Sequence, residues 1–190
     1  MDKIKVIKNV ITPEDAKPII EYINRHVDNF IKAPGLKRFT RMFGYDVTHQ
    51  HMSKVTIEGE LEDIRNLVRS YVNKAIGIIE DEYKDTGVLL SSLWFAKQID
   101  GGDIRGHSDI DNGLNDHFVY SAVLYLNTVE DGGALDFPKL GISVKPVFGD
   151  LVIFPSHGDD MFHEVKRIGE DRYTLPMWFT KNKENELLSL

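Results

Sequence analysis

The sequence predicts a mainly β domain with α-helices: a double-stranded β-helix, or jelly roll, buttressed by N-terminal helices. Three observations lead there. Helical periodicity is confined to the first half of the chain. The second half breaks into short apolar, β-branched and aromatic runs separated by Gly, Asp, Asn and Pro clusters. No helical stretch alternates with those runs, so the helices pack on one β core instead of linking parallel strands. At 190 residues the chain is close to the length of one domain, for which roughly 150 residues is the usual prior. One domain over 1–190 is expected, with helical support and a lid region in 1–87 and the β core in 88–181.

The elements follow in order. Ile4 to Val10 reads as a short strand. A helix begins behind it, with Thr12 as N-cap, Pro13 at the first helical position and Glu14 and Asp15 in the first turn, and runs to about Val27. Lys32 to Glu60 is rich in Gly, Pro and basic residues with weak alternation, which predicts loops and edge strands. In the second helix Ile64, Leu67, Val68, Tyr71, Val72 and Ala75 recur at helical spacing; it starts near Leu61 and ends before Gly87. Strands are then expected at Val88–Ile99, Phe118–Asn127, Ile142–Val147, Asp150–Phe154 and Tyr173–Thr180.

Composition narrows the function. With 42% hydrophobic and 28% charged residues the chain can fill a core without staples. Its 23 basic residues against 30 acidic ones leave a net charge of −7, a poor match to a phosphate backbone, so no nucleic-acid partner is expected. Zero cysteines exclude disulfides, thiolate metal sites and a cysteine nucleophile, so any metal needs His and carboxylates. No apolar run reaches secretory or membrane-spanning length, which points to a cytoplasmic location with no membrane association.

His107-Ser108-Asp109 carries the first chemical signal, because side chains two apart in a strand share a face and can share a metal. His163 begins a later strand-like run, His163-Glu164-Val165, able to face the first. Two His and one Asp make the facial triad that leaves positions open on Fe(II), although the same set can hold Zn(II) in a hydrolase. Arg172 follows His163 by nine residues across an expected hairpin turn at Ile168–Asp171, and its guanidinium could grip a carboxylate bidentately from the neighbouring strand. Gly132-Gly133-Ala134-Leu135-Asp136-Phe137-Pro138 offers a tight turn and a strand of little bulk. His157 is a rival ligand in a loop, Asp111 a rival carboxylate, and His49 with His51 a weak pair; His26 and His117 read as surface or loop residues. Lys32, Lys37, Arg38 and Arg41 with Phe39 and Phe43 read as a mobile loop beside the site, not a nucleic-acid strip.

These residues resemble the Fe(II)- and 2-oxoglutarate-dependent oxygenases of the prolyl 4-hydroxylase type, over roughly Leu93 to Lys181. The elements, in order, are Gly101-Gly102-Asp103-Ile104-Arg105-Gly106-His107-Ser108-Asp109, Tyr125-Leu126-Asn127, the Gly132–Pro138 stretch, Leu140-Gly141 with Val144 and Pro146, Gly149-Asp150 before Val152 and Phe154, and His163-Glu164-Val165 with Gly169, Arg172-Tyr173 and Trp178. The resemblance implies that His107, Asp109 and His163 ligate iron and that Arg172 binds the distal carboxylate of 2-oxoglutarate. It further implies that Tyr125 hydrogen-bonds the co-substrate, that Leu135 lines its pocket and that Trp178 edges it. Fe(II), 2-oxoglutarate and O2 are the implied requirements, with ascorbate as an accessory.

The activity it implies is hydroxylation of a C–H bond, of a prolyl residue in a peptide or protein, with release of succinate and CO2. Collagen-type relatives usually carry Tyr where Gln98 and Ile104 stand and Lys in place of Arg172, whereas oxygen-sensing relatives carry Arg; this leaves the substrate class open, with a small molecule or another side chain as the alternative. Base-demethylating relatives carry a second Arg where Trp178 stands, which counts against them. A noncatalytic metal-binding jelly roll is the rival from outside the enzymes.

Overall fold

The computed structural model describes residues 3–26, 31–32, 42–46, 58–98, 101–110 and 115–187. The first strand, β1 (Lys5–Ile7), leads to helix α1 (Pro13–His26), then to β2 (Ile31–Lys32), β3 (Met42–Asp46) and helix α2 (Glu58–Tyr83). Strands β4 (Leu89–Gln98), β5 (Ile104–His107), β6 (Phe118–Tyr125), β7 (Leu135–Phe137), β8 (Ile142–Val144), β9 (Leu151–Pro155), β10 (His163–Val165) and β11 (Arg172–Thr180) follow. They form a seven-stranded sheet in the order β1-β9-β6-β11-β4-β3-β2 and a four-stranded sheet in the order β5-β10-β7-β8. Every recorded pairing is antiparallel. This is the expected jelly roll.

Local chemistry accounts for the helix ends. Thr12 Oγ1 accepts the Asp15 backbone N–H at 3.3 Å, which is the anticipated N-cap. Helix α2 stops at Tyr83; Lys84 takes φ 56° and the Gly87 N–H reaches back to Glu80 Oε1 at 3.0 Å. Among the described residues no helix is long and apolar enough to cross a membrane. Most of Lys32–Glu60, with Val27, His49, His51 and Asp111, lies outside the described residues; within that stretch β3 pairs with β4 and β2 with β3 at the sheet edge, as the weak alternation predicts.

Alternation along β11 separates two cores. Leu175, Met177 and Phe179 join Ile19, Ile23, Val68, Ala75 and Ile79 in the layer between the larger sheet and the helices. The opposite face looks toward the smaller sheet, where Tyr125, Val152 and Phe154 meet Leu135, Phe137 and Val165. The chemistry-bearing residues open on this second layer. His26, read from sequence as a surface residue, is 7% exposed, with its ring 4.6 Å from that of Tyr22. The reason is helical spacing: Ile19, Tyr22, Ile23 and His26 share the buried face of α1.

Candidate active site

His107 and His163 are direct partners in the antiparallel β5–β10 register, so their rings meet at a centroid distance of 4.4 Å. Asp109 completes the group: its Oδ1 lies 3.6 Å from His107 Nε2 and 3.8 Å from His163 Nε2. Asp109 does not share a strand with His107, contrary to the alternation expected from their spacing. Strand β5 ends at His107, and Asp109 reaches the site from the bend that follows, where Asn115 Nδ2 donates to its backbone carbonyl at 3.3 Å.

Each imidazole is aimed by a peptide carbonyl. His107 Nδ1 lies 2.9 Å from the Arg105 carbonyl, and His163 Nδ1 lies 2.9 Å from the Met161 carbonyl. A carbonyl only accepts, so both Nδ1 atoms carry hydrogen and both Nε2 lone pairs point at the space beside Asp109. The two Nε2 atoms and one Asp109 oxygen thus converge on a single space, where they would hold a metal ion together. The donor set of two neutral imidazoles and a carboxylate fits Fe(II), and these ligand atoms all lie within 4.8 Å of one another.

The electrostatics favour a charged Asp109. Burial opposes its ionisation, but His107, which donates to it when protonated, the charges of the two imidazoles and the Ser121 hydroxyl outweigh it and hold the pKa at about 2. Burial pushes the His163 pKa down, with His107 adding to the effect and Asp109 opposing it. His107 is opposed by burial too, yet Asp109 and the Arg105 carbonyl carry its pKa above the ordinary value. The side chains of His163 and Asp109 are 8% and 7% exposed against 42% for His107, so one ring forms the open rim of the group.

Close packing supports this corner. A Cβ on Gly106 would fall 2.4 Å from Phe162 Cζ, so the Phe162 ring lies against bare backbone beside one imidazole and precedes the other in sequence. His157 is exposed and is not part of the group. Ser121 and Ser156, bonded to each other at 2.8 Å and buried, are a support that spacing alone does not reveal.

Arg172 sits elsewhere than the hairpin reading expects. Strand β11 belongs to the larger sheet, between β4 and β6, so Arg172 does not neighbour β10. The segment between them crosses from sheet to sheet, anchored where Gly101 N–H donates to Ile168 O, Ile168 N–H to Gly102 O and Gly169 N–H to Asp131 O. The guanidinium is 3% exposed, and among the described residues no carboxylate pairs with it. It lies over the Tyr125 ring, 5.0 Å from the centroid, and donates to Gln98 Oε1. Among the described residues, Tyr125 Oη, Arg172 Nε and Gln98 Nε2 are buried without hydrogen-bond partners of normal geometry. Burial raises the Tyr125 hydroxyl pKa, with Arg172 opposing.

A buried cation beside unsatisfied donors fits a dicarboxylate such as 2-oxoglutarate. Leu135 is 2% exposed in the apolar layer that includes Tyr125, and a Cβ on Gly133 would stand 3.4 Å from Arg172 Cδ. Trp178 packs edge-on against Trp94 at 6.1 Å and stacks with Phe118 at 6.0 Å, farther along the same strand face.

Residues 93–180 match the model of the 2OG-Fe(II) oxygenase superfamily. This segment is a 2OG-Fe(II) oxygenase domain. Solved structures share the oxygenase's fold. A prolyl hydroxylase from Trichoplax adhaerens, in complex with a hypoxia inducible factor oxygen degradation domain peptide fragment, superposes with a TM-score of 0.75 at 19% identity, covering 100% of this chain and 88% of that one. The viral collagen prolyl hydroxylase of Paramecium Bursaria Chlorella virus-1 gives 0.70 at 14% identity, covering 96% and 97%. A Pseudomonas putida prolyl-4-hydroxylase gives 0.67 at 21% identity, covering 95% and 93%. No protein of curated function matches the oxygenase by sequence. The oxygenase is a 2-oxoglutarate-dependent dioxygenase carried on a prolyl-hydroxylase fold.

Proposed function

We propose that this dioxygenase hydroxylates a prolyl residue in a peptide or protein, using Fe(II) held by His107, Asp109 and His163 and 2-oxoglutarate held by Arg172. One observation carries the reading: a preoriented His-Asp-His group and a buried guanidinium lacking a carboxylate partner among the described residues open on the same layer between two sheets. Iron with 2-oxoglutarate and O2 supplies the oxidising power, with release of succinate and CO2. The chain's own residues bind and orient: both imidazoles offer Nε2, Asp109 stays ionised, and Arg172 with Tyr125 receives the far carboxylate. Leu135 lines the pocket and Trp178 lies toward its outer edge, in a catalytic core over 88–181. No residue need shuttle a proton.

The prolyl assignment draws support from the fold, since the solved structures that share it include prolyl hydroxylases and one of these holds a peptide. Incubation of the Fe(II)-loaded chain with 2-oxoglutarate and proline-containing peptides should yield succinate together with a peptide one oxygen heavier at proline by mass spectrometry. Turnover stimulated by free amino acids or another small molecule, with no prolyl peptide modified, would overturn the prolyl assignment and leave the oxygenase intact.

A further inference from the structure

Gln98 is an unusual occupant of its position. It closes β4 opposite Arg172 in the β4–β11 register, is 1% exposed, and accepts a hydrogen bond from Arg172 Nη1 through Oε1. A guanidinium has no acceptor, so the amide cannot be reversed: its oxygen must face Arg172 and its NH2 must face away. That NH2 is buried and has no partner among the described residues. Arg172 Nε and Tyr125 Oη share the condition and the neighbourhood. A buried donor left unmade is costly, and here several such donors adjoin a guanidinium with no carboxylate partner among the described residues. Only an acceptor-rich anion satisfies them together.

From this geometry we infer that Gln98 is a co-substrate-binding residue, which locks the Arg172 guanidinium through its oxygen and donates its NH2 to the same distal carboxylate of the 2-oxo dicarboxylate. The inference rests on the reading above that Arg172 holds that carboxylate. It divides the work between the two ends of the ligand: Gln98 acts on the far carboxylate, and the metal group acts on the 2-oxo acid end. An apolar side chain of similar length would remove both hydrogen bonds. A carboxylate in its place would ion-pair with Arg172 and occupy the site from within.

The test is calorimetric, on the full chain loaded with redox-inert Mn(II), using 2-oxoglutarate and, separately, oxalate, which carries the chelating end alone. Gln98→Met should weaken 2-oxoglutarate by about tenfold or more, the worth of one hydrogen bond to a charged group, while oxalate stays within about twofold. Gln98→Glu should weaken 2-oxoglutarate by about a hundredfold, with oxalate binding and the thermal melting midpoint preserved. Wild-type 2-oxoglutarate affinity in Gln98→Met overturns the inference. Equal weakening of both ligands overturns it too, because Gln98 would then act on the fold or the metal end. Arg172→Met separates the underlying reading: unchanged 2-oxoglutarate affinity there refutes Arg172 as the anchor, whereas a large loss there beside a silent Gln98→Met refutes the role of Gln98 alone.

Discussion

Metal affinity should fall with acid in a manner set by one imidazole before the other. Ligation needs both rings neutral at Nε2, so protons compete with the ion. His107, whose pKa lies above the ordinary 6.5, takes a proton first; His163, whose pKa is pushed below it by burial, takes one later, and the charge on His107 hinders it further. Asp109, at about 2, stays ionised throughout. Below the His107 pKa the apparent affinity for Mn(II) should therefore drop about tenfold per pH unit, or about 1.4 kcal/mol, the worth of one proton. The slope should approach a hundredfold per unit only at lower pH, where His163 also titrates. Calorimetric or paramagnetic-resonance titration from pH 7.5 to 5 checks this. A flat profile across pH 6.5, or a two-proton slope already there, would refute this order of protonation. Without metal the signs reverse for His107: its raised folded pKa lends stability that is full below 6.5 and lost as pH rises through that pKa. The stability that Asp109 lends is present above its unfolded value of 3.8 and disappears as pH falls through about 2.

Three further outcomes are expected. His163→Ala should abolish Mn(II) binding while His157→Ala leaves it intact, and the reverse pattern in the same titration would reassign the ligand. Arg172→Ala should weaken 2-oxoglutarate by about 2–5 kcal/mol, the cost of breaking a buried charge pair, read from calorimetry on the Mn(II) form. Gly106→Ala would set a Cβ 2.4 Å from the tip of the exposed Phe162 ring, which can swing outward, so urea unfolding should show a loss of about 0.5 kcal/mol or less that a second change, Phe162→Ala, removes.

Local patterns in the sequence carried most of the fold. The apolar repeat of α2, the Thr12 cap and the β-branched runs each rest on contacts within a few residues, and spacing reports those directly. Pairing between distant strands left no such trace. Gly169, Glu170 and Asp171 suggest a turn, yet β11 finds its partners in β4 and β6 across the other sheet. For the same reason His107, Asp109, His163 and Arg172 were visible as chemistry, while Gln98 stood out only as a departure from the Tyr of collagen-type relatives, and its contact with an arginine 74 residues away left no trace in the spacing. Ser121 and Ser156, 35 residues apart, were hidden likewise. The buried ring of His26 was available from the spacing of Ile19, Tyr22 and Ile23.

The carbonyls that aim the two imidazoles belong to the main chain at Arg105 and Met161. Side-chain supports are erased by a single codon change, whereas a peptide oxygen persists whatever residue bears it. Ring orientation in this chain is thereby less exposed to substitution at 105 and 161, so long as β5 and the turn that precedes β10 keep their backbone paths. Variation at the exposed Arg105 can alter surface charge without removing the oxygen that orients His107. Such insulation suits a scaffold whose solved counterparts keep a common fold at 14–21% identity.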